Sequence, residues 1–140
     1  KDKVVIVQIM GTWCPNCLDE TKFLVDYVEK HSNEKIAVIA LAFEYAKTKE
    51  AAYKSINRLK DRIGVQYPIL LAQYGGIDKE MAQKKLPMLN HVLSFPTTII
   101  IGKKGEVQKI YTGFNGPATG SNYDSFKKDF HNFILQLLEV

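Results

Sequence analysis

Both cysteines of the chain lie in the short stretch GTWCPNC, residues 11–17, where they are Cys14 and Cys17. Two residues separate them, an apolar run precedes them, and a helical pattern follows them. Thiols at this spacing can ligate zinc, attach a haem, form a structural disulfide or work as a redox pair. Each of these chemistries needs further residues, so the four alternatives can be compared on the sequence.

Three of the four alternatives lack what they need. A structural zinc site takes four ligands, but the three histidines, His31, His91 and His131, are widely spaced and two lie in helical patterns. Haem attachment requires a histidine directly after the second cysteine, where this chain has Leu18. A disulfide across two residues closes a very small loop and therefore stabilises little. The residues favour a redox dithiol, and we expect no metal and no cofactor.

The position of the pair predicts different roles for the two thiols. Pro15 is typical of the first position of a helix, which places Cys14 at the N-cap. There its sulfur faces free N–H groups and the positive end of the helix dipole, and both favour the thiolate. Cys17 lies one turn further on the same side of the helix. We expect Cys14 to be exposed and to attack, and the more enclosed Cys17 to resolve the mixed disulfide.

The elements around the pair predict an α/β fold. VVIVQIM, residues 4–10, is a nearly continuous apolar run and indicates a buried strand. A parallel β-α-β unit follows from it, and the turn GKKGE predicts a later β-hairpin. Predicted strands cover residues 4–10, 35–43, 67–72, 97–101 and 107–112, and predicted helices cover 15–32, 50–63, 78–86 and a C-terminal stretch capped by Ser121. This order predicts a mixed sheet with helices on both faces in a single domain, residues 1–140.

Composition excludes several classes of function. The chain has 140 residues, 46% of them hydrophobic, so it can bury a core without a disulfide. Its net charge of +4 comes from scattered lysine pairs, which argues against nucleic-acid binding. No apolar run approaches the ~20 residues that span a bilayer. Since the chain begins at Lys1 without a methionine, we expect a mature or excised piece of a protein.

Two motifs give the chain a family resemblance. GTWCPNC after a buried strand and SFPTTIII before the hairpin resemble the TlpA/ResA class of thiol–disulfide oxidoreductases, which includes thiol:disulfide interchange and AhpC/TSA-type proteins. The resemblance covers nearly the whole chain and implies a thioredoxin-like three-layer fold, with residues 50–86 as an αβ-type insertion. That class usually has a hairpin before the first strand found here. We therefore expect the chain to be the C-terminal part of a longer protein.

The resemblance also implies roles for individual residues. Cys14 would be the nucleophile and Cys17 the resolving thiol. Trp13 would flank the disulfide, and Pro15 would stand beside it as part of the substrate-binding surface. Pro96 would be a cis-proline next to the disulfide, with Phe95 offering its backbone to the substrate.

A departure from thioredoxins concerns proton transfer. Thioredoxins have a buried aspartate in the first strand beneath the cysteines, where this chain has Gln8, which cannot move a proton. The resembled class often has an acidic residue at the end of the second strand. Glu44 matches it, so Glu44 is the candidate to serve Cys17, with an exposed strand-end charge as the alternative.

These inferences predict an enzyme that reduces or exchanges protein disulfides through Cys14 and Cys17. From the resemblance we expect an extracytoplasmic location in the bacterial periplasm or cell envelope and an upstream redox donor; we also expect a monomer. A second hypothesis is a peroxiredoxin-like peroxide reductase. That chemistry needs Thr and Arg around the thiol, and while Thr12 is near, the only arginines, Arg58 and Arg62, come far along the chain. A third is a binding module that keeps the dithiol without using it.

Overall fold

The computed structural model of the protein describes residues 2–32, 34–76 and 95–139. Within these residues the strands are β1 (Val4–Met10), β2 (Ile36–Phe43), β3 (Ile69–Gln73), β4 (Thr97–Ile101) and β5 (Val107–Thr112). The α-helices are α1 (Pro15–Lys30), α2 (Lys49–Ile63) and α3 (Ser121–Glu139), and a 3-10 turn covers Pro117–Thr119. The helix predicted at residues 78–86 lies outside the described residues.

The five strands form one mixed sheet in the order β3-β2-β1-β4-β5. β1, β2 and β3 run parallel, while β4 pairs antiparallel with β1 and with β5. The predicted combination of a parallel β-α-β unit with a C-terminal hairpin is therefore confirmed. The α2–β3 segment extends the parallel half of the sheet by one edge strand.

Local signals explain where the helices begin and end. Thr48 caps α2 by accepting a hydrogen bond from the backbone N–H of Ala51, and Gly64 ends the helix with φ 81°. Such a left-handed conformation favours glycine, as the sequence predicted. At α3 the prediction is wrong in detail, because the helix already includes Ser121, and the N–H groups of Tyr123 and Asp124 bind the carbonyl of Gly120.

The main core lies on one face of the sheet. Val4, Ile6 and Met10 of β1 alternate toward it, as a pleated strand requires. Leu24 of α1, Ile56 of α2 and Phe130 of α3 belong to the same buried cluster, which shows that all three described helices pack there. On the opposite face a smaller cluster gathers Ile9, Phe43 and Ile99. No helix in the described ranges is long and apolar enough to cross a bilayer.

The strand register brings three connecting segments together at one end of the central strands β1, β2 and β4. Met10, the last residue of β1, pairs with Ala42 near the end of β2, and Ile9 pairs with Thr97 at the start of β4. The segments that leave β1, leave β2 and enter β4 consequently meet. Those segments carry the residues at positions 11–17, 44–45 and 95–96, which form the candidate site.

Candidate active site

Cys14 and Cys17 form a disulfide, with their Cα atoms 5.2 Å apart. Cys14 is the N-cap of α1 in extended conformation, and Pro15 occupies the first turn. The backbone N–H of Cys17 donates to the Sγ of Cys14 over 3.2 Å. The predicted capping arrangement is confirmed, and it aims a helix N-terminus at the sulfur of Cys14, where negative charge is favoured.

The two sulfurs differ in access less than the sequence suggested. Cys14 keeps 5% of its surface exposed and Cys17 none. Cys14 is thus nearly enclosed in the disulfide rather than openly exposed, because the segment entering β4 lies over it. Even so, Cys14 alone of the pair can be reached from solvent.

The predicted substrate-side residues meet around this sulfur. The Sγ of Cys14 lies 3.7 Å from the carbonyl oxygen of Phe95, and the Phe95–Pro96 peptide bond is cis, as the resemblance implied. The indole of Trp13 contacts the ring of Phe95 edge-on, with centroids 5.3 Å apart. Pro15 is exposed at the start of α1. The Phe95 carbonyl therefore lies beside the Cys14 sulfur, and the Trp13 ring packs against the Phe95 ring.

Gly11 lets the indole of Trp13 lie against the end of β2. Trp13 Nε1 donates to the carbonyl oxygen of Phe43 over 2.8 Å. A Cβ at position 11 would stand 2.1 Å from that Nε1 and 2.8 Å from the same carbonyl oxygen. Any side chain at position 11 would displace the indole, so glycine is required for this arrangement.

Tyr45 is a residue of the site that sequence reasoning did not identify. It is 56% exposed and contacts the indole of Trp13 edge-on at 5.0 Å. An exposed aromatic ring that contacts the residue before Cys14 offers apolar area to a partner. The signal available in the sequence was its place directly after Glu44, where the predicted strand at residues 35–43 ends.

Glu44 is buried, not an exposed strand-end charge, with 2% of its surface accessible. One carboxylate oxygen accepts from the backbone N–H of Thr12 over 2.8 Å, and the other accepts from the Thr12 hydroxyl. Burial raises the pKa of Glu44, while the bonds from Thr12 oppose that rise. Glu44 therefore holds the segment that leads into Trp13 and Cys14.

A second buried carboxylate, Glu20, lies one helical turn after Cys17. It is 1% exposed, and both of its oxygens are within hydrogen-bond distance of the Thr98 hydroxyl, at 2.9 and 2.8 Å. Burial raises the pKa of Glu20 to about 7, against the lowering effect of hydrogen bonds from Thr98 and Gln8. A carboxyl with this pKa can take up or release a proton near neutral pH.

Gln8 connects Glu20 with the backbone of Cys17. Besides its bond to Glu20, its Nε2 lies 3.3 Å from the Cys17 carbonyl oxygen and 3.2 Å from the hydroxyl of Thr21. The Thr21 hydroxyl donates to the same carbonyl over 2.8 Å. Gln8, the residue in the place of the thioredoxin aspartate, thus belongs to a polar network that also contains a carboxyl group.

This arrangement suits dithiol–disulfide exchange. It joins a sulfur at a helix N-terminus, an enclosed second sulfur and a carboxyl group that titrates near neutrality. In the part of the chain that the structure describes, no group of three or more His, Cys, Asp or Glu residues is placed to hold a metal ion.

Comparisons with known proteins agree with this chemistry. The chain is 32% identical over 113 residues to the thioredoxin-like protein YneN of Bacillus subtilis, covering 81% of this chain and 58% of that protein. It is 26% identical to the thiol-disulfide oxidoreductase ResA of Geobacillus kaustophilus, again over 81% of this chain and 56% of the relative. The chain therefore spans little more than half the length of these curated relatives. They support the ResA-type resemblance found in the sequence.

The fold is shared with solved structures as well. A thiol:disulfide interchange protein of the thioredoxin family from Chlorobium tepidum superposes with a TM-score of 0.72 at 19% identity, covering 99% of this chain and 81% of that one. This likeness confirms the predicted thioredoxin-like α/β fold. The Redoxin family model matches residues 1–126. The chain therefore belongs to the Redoxin family.

Proposed function

We propose that the protein is a thiol–disulfide oxidoreductase that reduces or exchanges disulfides of other proteins. The observation that carries this proposal is the placement of the Cys14 sulfur. It caps α1 and lies 3.7 Å from the Phe95 carbonyl oxygen. A substrate strand that paired with the backbone of Phe95 would bring its own sulfur to Cys14.

The reaction in the reducing direction takes two steps. The Cys14 thiolate attacks one sulfur of the substrate disulfide, and the other substrate sulfur leaves as a thiolate that takes up a proton. Cys17 then loses its proton and attacks the Sγ of Cys14, which releases the second substrate thiol. The substrate gains two electrons and two protons, and Cys14 and Cys17 become the disulfide.

Glu20 is the group we assign to the proton of Cys17. The thiol is fully enclosed, so bulk water is a poor acceptor for it. Glu20 follows it by one turn and is itself buried. Gln8, which cannot itself move a proton, holds the Cys17 carbonyl and Glu20 in one network. Glu44, the carboxylate expected from the sequence, is engaged by Thr12 instead, and we assign it the positioning of the segment before Cys14.

The structure places both arginines near Thr12, as a peroxide reductase would need, but it does not place them around a thiol. Arg58 and Arg62 do share a pocket with Thr12, although they lie far along the chain. However, neither Cys14 nor Cys17 lines that pocket in the described part of the chain. Peroxide would therefore meet no thiol there, and disulfide exchange is the better supported function.

An insulin-reduction assay with a small dithiol as electron donor tests the proposal. We expect the wild type to accelerate reduction, and Cys14→Ser to lose the acceleration. The same preparations are assayed for peroxide consumption with the same donor. Faster peroxide consumption without insulin reduction would contradict the proposal in favour of the second hypothesis, and activity in neither assay would favour the binding module.

We further propose that the protein works outside the cytoplasm, in the periplasm or cell envelope, as a monomer supplied by an upstream dithiol donor. The likeness to the TlpA/ResA class supports the location and the donor. Fractionation of cells that express the full-length protein, followed by thiol labelling of Cys14 and Cys17, tests the location. Size-exclusion chromatography with light scattering tests the monomer.

A further inference from the structure

A pocket of about 190 Å³ lies between α1 and α2, next to the candidate active site. Its apolar lining includes Leu18 and Leu59, and its charged lining includes Lys22, Arg58 and Arg62. Small-molecule sites commonly have volumes of about 300–1,000 Å³. This pocket is therefore the size of one side chain or a very small acid, not of a cofactor.

The charge of the pocket is one-sided. Among the described residues that line it there are three cations and no acidic side chain. Ion pairs do form elsewhere on the described surface, as between Lys30 and Asp26, but none is formed there by Lys22, Arg58 or Arg62. No acidic side chain among the described residues therefore forms an ion pair with these three charges.

Helix α2 contributes both arginines of the pocket from one of its faces. Ser55, Arg58 and Arg62 are spaced by three and four residues along α2, so they share one face of it. Arg58 and Arg62 are also the only arginines in the chain. Arginine presents a planar fork that binds a carboxylate through two parallel hydrogen bonds, which lysine cannot do.

Thr12 ties the pocket to the reactive sulfur. It lines the pocket and precedes Cys14 by two residues. Since consecutive Cα atoms are 3.8 Å apart, the Cα atoms of Thr12 and Cys14 lie within about 8 Å. A group bound in the pocket is therefore within a few residues' reach of a substrate sulfur at Cys14.

We propose that this pocket binds the carboxylate of an Asp or Glu residue that lies close in sequence to the reacting cysteine of a protein substrate. The two guanidinium groups and Lys22 hold the carboxylate, and Leu18 and Leu59 contact its methylene groups. The proposal rests on the disulfide-exchange function given above and adds a substrate preference to it. Substrates whose cysteine is flanked by neutral or basic residues should show no increase in kcat/KM from the pocket.

Kinetics on paired peptides test this preference. The substrates are disulfide-bonded reporter peptides with one Glu placed at each of the four positions on either side of the cysteine, and the same peptides with Gln. At one or more positions we expect kcat/KM to be about tenfold higher for Glu than for Gln, because charge-assisted bidentate bonds exceed ordinary surface pairs. Raising the salt concentration from about 50 mM to about 500 mM should shrink that ratio.

Two double variants distinguish the effect of the pocket arginines from the effect of the protein's overall positive charge. In Arg58→Gln/Arg62→Gln the Glu/Gln ratio should fall to near one. The control Lys49→Gln/Lys54→Gln removes the same charge from exposed positions of α2 that do not line the pocket, and it should keep the ratio. If the wild type reduces Glu and Gln peptides equally well at every position, the pocket proposal is overturned while the proposed function stands.

Peptide binding to the pocket can be measured by NMR without any disulfide exchange. Peptides with Ser in place of the cysteine are titrated into the oxidised wild type, and the Nε–H signals of Arg58 and Arg62 are followed by NMR. The acidic peptide should shift both signals and its Gln counterpart should not. Unmoved arginine signals overturn the pocket proposal and leave the proposed function standing. Failure to reduce any peptide disulfide or insulin overturns the proposed function and with it the substrate preference, while shifted arginine signals would still show a site for an acidic peptide.

Discussion

The hydroxyl of Thr98 lies 2.9 and 2.8 Å from the two carboxylate oxygens of Glu20, and both residues are buried. A hydroxyl can donate to an ionised carboxylate or accept from a protonated one. The contact therefore persists through a change in the charge of Glu20. Thr98 can therefore remain hydrogen-bonded to Glu20 while Glu20 gains and loses a proton in each turnover.

Glu20→Gln should slow the resolving step, because the enclosed Cys17 loses its proton acceptor. General-base groups contribute about 10²–10⁴-fold, and with the active thiol itself intact we expect about 10- to 100-fold. Rapid quenching with an alkylating agent measures how long the mixed disulfide lives. Glu29→Gln, an exposed change on the same helix, is the matched control. A mixed disulfide with an unchanged lifetime in Glu20→Gln would remove Glu20 from the mechanism.

Glu20 should also make the folded protein less stable as pH rises. Its pKa is about 7 in the folded state against 4.5 for an ordinary glutamate, so between those values the folded state holds a proton that the unfolded state has released. Stability must fall across this window, by up to about 3 kcal/mol for this group. Urea unfolding of Glu20→Gln should therefore show a flatter pH dependence than the wild type between about pH 4.5 and pH 7. Parallel curves would show that Glu20 titrates normally.

Thr98→Val should shift the same titration upward. The Thr98 hydroxyl lowers the pKa of Glu20, and valine keeps the shape of the side chain without the donor. We expect the pH at which the resolving rate is half-maximal to rise in this variant. The pH profile of mixed-disulfide decay measures it, and a profile that stays in place would mean that the hydroxyl does not act on the carboxyl group.

Gly11→Ala should impair protein substrates by moving the indole of Trp13. The added methyl would stand 2.1 Å from Trp13 Nε1 and 2.8 Å from the Phe43 carbonyl oxygen, and the second of these atoms is backbone and cannot easily move. We expect a blue or red shift of the single tryptophan's fluorescence and a several-fold loss of insulin reduction. Ala46→Gly, a small-residue change outside the site, is the control, and it should leave the fluorescence and the rate of insulin reduction unchanged. Unaltered fluorescence in Gly11→Ala would show that the indole is not held in place there.

The fold was predictable because its signals are periodic and local. The apolar run of β1, the hairpin turn and the glycine that ends α2 each specify their element without reference to distant residues. The boundary of α3 was missed by its first residue, since Ser121 could serve equally as a cap or as a helical residue. In that case the choice depends on the chain before it, because the carbonyl of Gly120 accepts the first backbone hydrogen bonds of the helix, from Tyr123 and Asp124.

The active site was predictable only in part, because its cysteines are marked by spacing and its carboxyl groups are not. Glu20 occupies the stripe of α1 that also holds Cys17, Leu24 and Tyr27, all of which are buried. That position was the available signal. A glutamate on a helix is nevertheless exposed in most proteins, and what encloses this one is Thr98, 78 residues away in sequence.

Glu44→Gln should loosen the segment before Cys14 more than it changes proton transfer. The amide can still accept from the N–H of Thr12, but its NH₂ group faces a hydroxyl that now must accept instead of donate. We expect faster hydrogen exchange at residues 12–14 and a modest loss of rate, with the pH profile of resolution kept. Glu50→Gln, an exposed change, is the control. A displaced pH profile would instead support the proton-transfer role that the sequence suggested for Glu44.

The two cysteines should behave differently when each is removed in turn. In Cys17→Ala, Cys14 keeps its place at the helix N-terminus, so it attacks a substrate disulfide and then has no partner to release it. In Cys14→Ala, the remaining sulfur is one that is 0% exposed in the oxidised protein, and a substrate cannot reach it without local opening. We expect at least about tenfold more trapped substrate in the first variant, measured as a mixed disulfide on non-reducing gels after incubation with a disulfide-bonded protein. Reduction of the gel samples should release the trapped partner, which shows that the link is a disulfide. Equal trapping by both variants would mean that enclosure does not distinguish the sulfurs, and the roles given to Cys14 and Cys17 would have to be abandoned.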